Sequence, residues 1–236
     1  MLAKTRGIVL NYIKYSETSI IAKIYTQNFG MQTYIVNGVR THNKKQSQKI
    51  SLFQPLTLVD LVVYYYPDTN RMSRIKEIKC YHVFEQISTQ YPKMAIAFFM
   101  AEVLYKVLKE EEPNEGLFNF LQASIFFLDS SQANTTTFHL HFLCKLTYFL
   151  GFEPQSAQDV LDELGQYRKN PLPEEIQQEL LEGIDFFISQ DFEHGAIPFS
   201  ANTRKRLTNT LLDFYNLHVA TFYPIKSLEV FREIND

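Results

Sequence analysis

Tryptophan is absent from this chain, and cysteine is scarce, with only Cys80 and Cys144. Two distant cysteines exclude a disulfide framework and a four-cysteine zinc site, and they fit a reducing, cytoplasmic setting. No run of about 18 apolar residues occurs, so no segment reads as a membrane helix. The opening MLAKTRGIVLNYIKYSE lacks the apolar stretch of about 7–15 residues and the small-residue cleavage site of a signal peptide. Hydrolase and nucleotide signatures are missing too: there is no GxSxG, no HExxH and no GxxxxGK[ST] phosphate loop. One short stretch lacks something else. RTHNKKQSQK, residues 40–49, has neither an acid nor an apolar residue, yet it holds Arg40, Lys44, Lys45 and Lys49.

What is present is unevenly distributed. The formal net charge is −3 over 236 residues. Residues 1–80 nevertheless carry 12 Lys/Arg against four acids, whereas residues 81–236 carry 11 against 22. So sharp a split points to two domains with different partners, the basic one suited to a polyanion. The chain is long enough, and at 45% hydrophobic apolar enough, to give each part a core.

Periodicity divides the chain at the same place. GIVLNYIKY and SIIAKIYT read as strands separated by Ser16-Glu17-Thr18, and MQTYIVNG follows after the turn Asn28-Phe29-Gly30. LTLVDLVVYYY and a looser strand from Met72 to Cys80 make five. Five strands in 80 residues, with one long loop after the third, predict an OB-type β-barrel, with an SH3-like barrel as the alternative.

From residue 92 the spacing becomes helical, which predicts an all-α domain over 81–236 and hence a two-domain α+β protein. In the first helix Met94, Ala97, Phe98, Ala101, Leu104, Tyr105 and Leu108 form one apolar stripe. Asn114 is placed to cap a second helix, GLFNFLQASIFFLD. FHLHFLCKLTYFL reads as a third, capped from Asn134 or Thr135–Thr137 and ended by Gly151. Residues 152–172 are polar and broken by prolines. Helical patterns resume at PEEIQQELLEGIDFFIS and NTRKRLTNTLLDFYNLHVATF, with Pro224 as a stop.

His139 and His141 stand at i and i+2, which puts them on different helix faces, so they read as structural rather than as a metal pair. The acidic pairs Asp185/Asp191 and Glu110–Glu112 sit in polar helix-end contexts, and they read as solvated rather than catalytic. The basic part of the chain is different. It interleaves cations with Tyr12, Tyr15, Tyr25, Phe29 and Tyr34, and single-strand binding uses cations for phosphates and aromatic faces for bases. The candidate DNA-binding residues are Lys14, Lys23, Tyr34, Arg40, Lys44, Lys45, Lys49, Arg71, Arg74 and Lys76, with Lys79 beside them. The competing explanation for the tyrosines is core packing.

Four stretches of the first part stand out: Gly7–Leu10, Lys14-Tyr15-Ser16-Glu17-Thr18-Ser19, Tyr25-Thr26 to Gly30, and Gly38-Val39-Arg40 before the basic loop. Together they resemble the RecO family of bacterial DNA repair proteins. Further on, AEVLYKVLKEEEPNEGLFNFL, LGFEP (150–154) and HVATFYPIKSLEVFREI continue the resemblance into the second part. The resemblance implies an OB barrel and a helical domain acting as a recombination mediator without enzymatic turnover. Such a protein binds single- and double-stranded DNA, anneals complementary strands, and acts on SSB-coated DNA with RecR to help load RecA, in the cytoplasm at the nucleoid.

It also implies a pocket in the helical domain for the acidic, apolar C-terminal tail of SSB. Phe98, Phe142 and Leu146 would line it, with Lys145 or Lys93 for the terminal carboxylate. Two departures are visible. Many relatives bind zinc through four cysteines after the L-G-[YF]-x-P turn, and residues 151–200 have none, so no zinc is expected. His141 also stands where relatives often carry Arg, just ahead of Phe142. A second reading is a protein-interaction scaffold whose basic barrel is only a docking module. A metal-dependent or hydrolytic enzyme is a third.

Overall fold

The computed structural model describes residues 1–39, 48–66, 72–109, 111–190, 192 and 199–235. Five strands come first: β1 Leu2–Lys14, β2 Ile20–Thr26, β3 Gly30–Val36, β4 Leu58–Tyr64 and β5 Ser73–Cys80. They close into a barrel in the order β1-β2-β3-β5-β4, with β4 returning to β1. Neighbours pair antiparallel except β3 with β5, which are parallel. This is the OB arrangement.

β1 starts earlier than its sequence pattern indicates. LAKTR has little β-branched content, but Leu2 to Ile8 pair in register with Tyr64 to Leu58, so the partner strand supplies what propensity lacks. The turn before β3 is as expected: Gly30 takes a positive φ of 61°, and the Thr26 hydroxyl donates to its carbonyl at 2.9 Å.

Alternation sorts the strand residues between two cores. Val9, Ile20, Ala22, Ile24, Tyr34, Val59, Leu61 and Val63 fill the barrel interior, plugged by Val39 and by Phe53 of a short 3₁₀ helix, Gln48–Phe53. Ile8, Leu10, Tyr25, Met31 and Leu58 belong instead to the helical core, so one flank of the barrel's outside is covered by helices. Tyr25 stacks on Phe118 across that junction, centroids 6.3 Å apart.

Among the described residues the second part holds seven α-helices: α1 Tyr91–Val107, α2 Glu115–Asp129, α3 Phe138–Leu150, α4 Ala157–Gly165, α5 Glu174–Ser189, α6 Ala201–His218 and α7 Ser227–Asn235. Asn114 caps α2 by accepting from the Leu117 N–H, and Gly151 ends α3 in the left-handed region, φ 80°. Two helices depart from expectation. α4 lies within the polar 152–172 stretch, started by a reciprocal capping box between Ser156 and Asp159 and by the Asp185 carboxylate, which accepts from Ala157 N–H at 2.6 Å. α7 follows Pro224 and folds back on α1 through Phe231 stacked on Phe99, centroids 5.0 Å apart.

α1 is buried on several sides, but not along the whole of its predicted stripe. Ile96, Phe99, Met100 and Val103 are core, whereas Phe98 is 45% exposed and Tyr105 37%. The helix is apolar nearly all round, so spacing alone does not choose its covered faces.

Candidate nucleic-acid interface

Register places the surface residues of the barrel. Because Ile20, Ala22, Ile24 and Tyr34 point inward, Ile21, Lys23, Thr33 and Ile35 point outward. β1 has a register shift between Val9 and Asn11, which brings Asn11 and Ile13 onto the same outer face. Two rows result. One runs Ile13, Ile21, Ile35, Arg74 across four strands, and the other runs Asn11, Lys23, Thr33. Ile13 is 56% exposed, and Lys23 Nζ donates to Thr33 Oγ1 at 2.6 Å.

At the Arg74 end this face meets a groove of about 510 Å³ between β3, the 3₁₀ helix and β5. Lys49, Arg74, Lys76 and Lys79 line it, and among the described residues Glu77 is its one acid. All four cations are exposed, and Leu52, Ile75 and Ile78 give the groove an apolar floor. Lys49 comes from the 3₁₀ helix and the others from β5, so barrel closure assembles the cluster from distant sequence. A neighbouring cavity of about 290 Å³ adds Tyr66 and Met72 beside Ile35 and Arg74. Sequence reasoning missed Tyr66 as a stacking candidate, although the YYY run at 64–66 marks it.

The flank adjoining it across β5, where Glu77 and Lys79 line both grooves, is less suited to an anion. There Lys4, Arg6 and Lys79 share a groove of about 480 Å³ with Asp60 and Glu77. Arg6 stands 3.6 Å from Asp60 and also lies over the Tyr81 ring, 5.1 Å from its centroid. Its charge is largely answered locally, and four cations facing one acid favour the first groove.

The sequence candidates distribute as follows. Lys49, Arg74 and Lys76 converge in the groove, Lys23 lies on the adjoining outer face, and Lys14 is exposed at the end of β1. Arg40, Lys44, Lys45 and Arg71 lie outside the described residues, as do Glu110 and Asp191. Tyr34, expected on the stacking face, is corrected to the barrel core. It is 0% exposed, and burial drives its phenol pKa upward, with a smaller push from Tyr65. Tyr25 is buried as well and Phe29 stacks on Tyr65 at 4.2 Å, while Tyr15 is 56% exposed.

The five residues expected to form a tail pocket do not meet in one. Phe142 and Leu146 are fully buried, Phe142 lying parallel to Phe120 with centroids 5.9 Å apart. Lys93 is buried and donates to the Ser130 carbonyl. Its pKa is lowered by burial, with Asp129 pulling the other way. Lys145 is half-buried, its Nζ donating to Ile188 O at 3.3 Å. Phe98 is exposed, but in a different groove, between the barrel and α1. α3 packs against α2, α5 and α6, which buries Phe142 and Leu146 and leaves Tyr148 as its exposed residue.

His139 and His141 are both buried, and His139 Nε2 lies 2.8 Å from Thr208 Oγ1. Among the described residues no three His, Cys, Asp or Glu side chains come together as a metal site. Among them, too, no helix is long and apolar enough to cross a membrane.

Comparison with known proteins finds two family models along the chain. Residues 1–84 match the family model described as recombination protein O N terminal, and residues 88–229 match the one described as recombination protein O C terminal. The chain is 36% identical over 246 residues to the DNA repair protein RecO of Bacteroides fragilis, with all of both chains covered. It is 34% identical over 242 residues to that of Christiangramia forsetii and 31% over 241 to that of Flavobacterium johnsoniae, each covering 99% of both chains.

Proposed function

The chain belongs to the recombination protein O family and so has a role in DNA repair and recombination, and on that premise we propose that it is a strand-annealing mediator whose barrel is the DNA-binding face. In this reading it binds single- and double-stranded DNA, pairs complementary strands, and acts on SSB-coated DNA together with RecR to help load RecA, without catalytic turnover. Zinc has no part in it.

The convergence of Lys49, Arg74, Lys76 and Lys79 in one groove carries this reading. Phosphate binding needs cations that can displace condensed counterions, and it carries no sequence information. Annealing needs that same indifference to sequence. It also needs base edges left open while the backbone is held, and cations beside an apolar outer face meet this requirement better than a deep base-reading pocket would. The burial of Phe142 and Leu146 moves the proposed contact with the SSB tail away from those residues.

Fluorescence anisotropy of a labelled single-stranded oligonucleotide at several salt concentrations tests the proposal. Changing Lys49, Arg74, Lys76 and Lys79 to Ala should weaken binding to all sequences alike and flatten the salt slope by about 0.7 for each phosphate no longer neutralised. A parallel variant at Arg40, Lys44 and Lys45 measures how much the 40–47 segment adds. Unchanged binding in the groove variant would move the site elsewhere. No binding by the unmodified protein would put the scaffold reading in front.

A further inference from the structure

A second and larger groove, about 820 Å³, opens between the barrel and the helices, and its barrel wall includes Asn11. Asn11 belongs to the outer row Asn11–Lys23–Thr33, next to the isoleucine row that ends at Arg74. The two grooves are therefore joined by one continuous barrel face. Adjacent strands lie about 4.8 Å apart, so the crossing from Arg74 to Ile13 is about 14 Å, the span of a few nucleotides.

The helical wall of this groove presents Phe98 and Tyr105 of α1, at i and i+7, hence about 10.5 Å apart along one face. Both rings are exposed on a helix most of whose apolar residues are core, and the spacing leaves room for bases between them. Lys106 and Lys226 supply charge at the rim. Among the described residues the groove has one acid, Glu102, and it is occupied: its carboxylate accepts the backbone N–H of Lys226 at 2.9 Å and of Ser227 at 2.7 Å, at the start of α7. The groove thus offers two aromatic faces and two cations to a ligand, with its acid turned to the helix end.

We infer that single-stranded nucleic acid bound on the barrel continues past Asn11 into this groove, where Phe98 and Tyr105 stack bases and Lys106 and Lys226 hold phosphates. This rests on the barrel being the DNA-binding face, and it extends the binding site onto the helical part of the chain. Sequence-tolerant stacking on aromatic side chains beside cations is how single strands are held without base reading.

The test compares oligothymidylates of about 6 and about 20 nucleotides, the shorter within the span of one barrel. Phe98→Ala and Tyr105→Ala should each weaken the longer one by roughly five-fold or more and leave the shorter one unchanged. Photo-crosslinking of the longer one, carrying 5-iodouracil, to the unmodified protein should label Phe98 or Tyr105 as well as the barrel; this arm does not depend on any variant folding. Equal affinity at both lengths with crosslinks confined to the barrel would overturn the inference and leave the barrel site standing. No binding at either length would remove the barrel site as well. A peptide of alternating Asp and Phe that occupied the groove without competing with the longer oligonucleotide would overturn the inference in favour of a protein occupant.

Discussion

His82, two residues beyond β5, stands with its Nε2 3.2 Å from the carboxylate of Asp129, the last residue of α2. The same carboxylate accepts the backbone N–H groups of Glu85, Gln86 and Ile87 at 2.9–3.1 Å. One buried acid therefore organises the connection between barrel and helices. Burial works against its charge, but the three N–H donors and His82 outweigh that and hold its pKa below the ordinary 3.8.

Replacing Asp129 with Asn should destabilise the protein by about 1–3 kcal/mol, because the amide leaves buried donors unmatched. The pH dependence has a definite sign. A depressed carboxylate contributes stability above its unfolded value of 3.8 and loses it as pH falls through the lower folded value. Denaturant unfolding at a series of acid pH values should show this steep loss in the unmodified protein and a shallower one in the variant.

His139 titrates in a different window. Burial, and after it Arg204 and His141, lower its pKa from 6.5 to about 3. Between those values the unfolded chain takes up a proton that the folded chain refuses, so this contribution is complete above the unfolded value and declines as pH falls toward the folded one. His139→Gln should flatten the stability profile through that window. The His139 ring resonances should show no midpoint between about pH 5 and 8 by NMR.

Gly7 faces the barrel interior with no room for a side chain. A Cβ there would stand 2.6 Å from Ile24 Cγ2 and 3.1 Å from Leu61 Cδ1, both in the interior core. Gly7→Ala should cost about 1–3 kcal/mol by overpacking. Calorimetry should read this as a fall in Tm of about 2–4 °C for each kcal/mol.

The Tyr34 hydroxyl is buried and has no hydrogen-bond partner among the described residues. An unmatched buried hydroxyl costs about 1–3 kcal/mol, so Tyr34→Phe should leave stability unchanged or raise it. Thermal unfolding decides the matter: a clear drop in Tm would mean that the hydroxyl has a partner after all.

How far each of these residues is legible depends on the kind of information involved. Asn114 and Gly151 are readable as caps because capping is local chemistry. The S-x-x-D pattern at Ser156–Asp159 is equally local and signals the start of α4, but the surrounding prolines mask it. Tyr34 and Phe142 are legible as members of a strand and a helix, whereas which face of each is covered is not.

The two-part architecture, the five strands and the concentration of positive charge in the first 80 residues are written into the chain locally, because periodicity and composition act over neighbouring residues. Three outcomes are not local: Lys49 joins Arg74, Lys76 and Lys79, Tyr34 becomes core, and Phe98 and Tyr105 stay exposed. They follow from barrel closure and from which helices cover which faces. Period 2 and period 3.6 define the faces of an element, and long-range packing alone chooses among them.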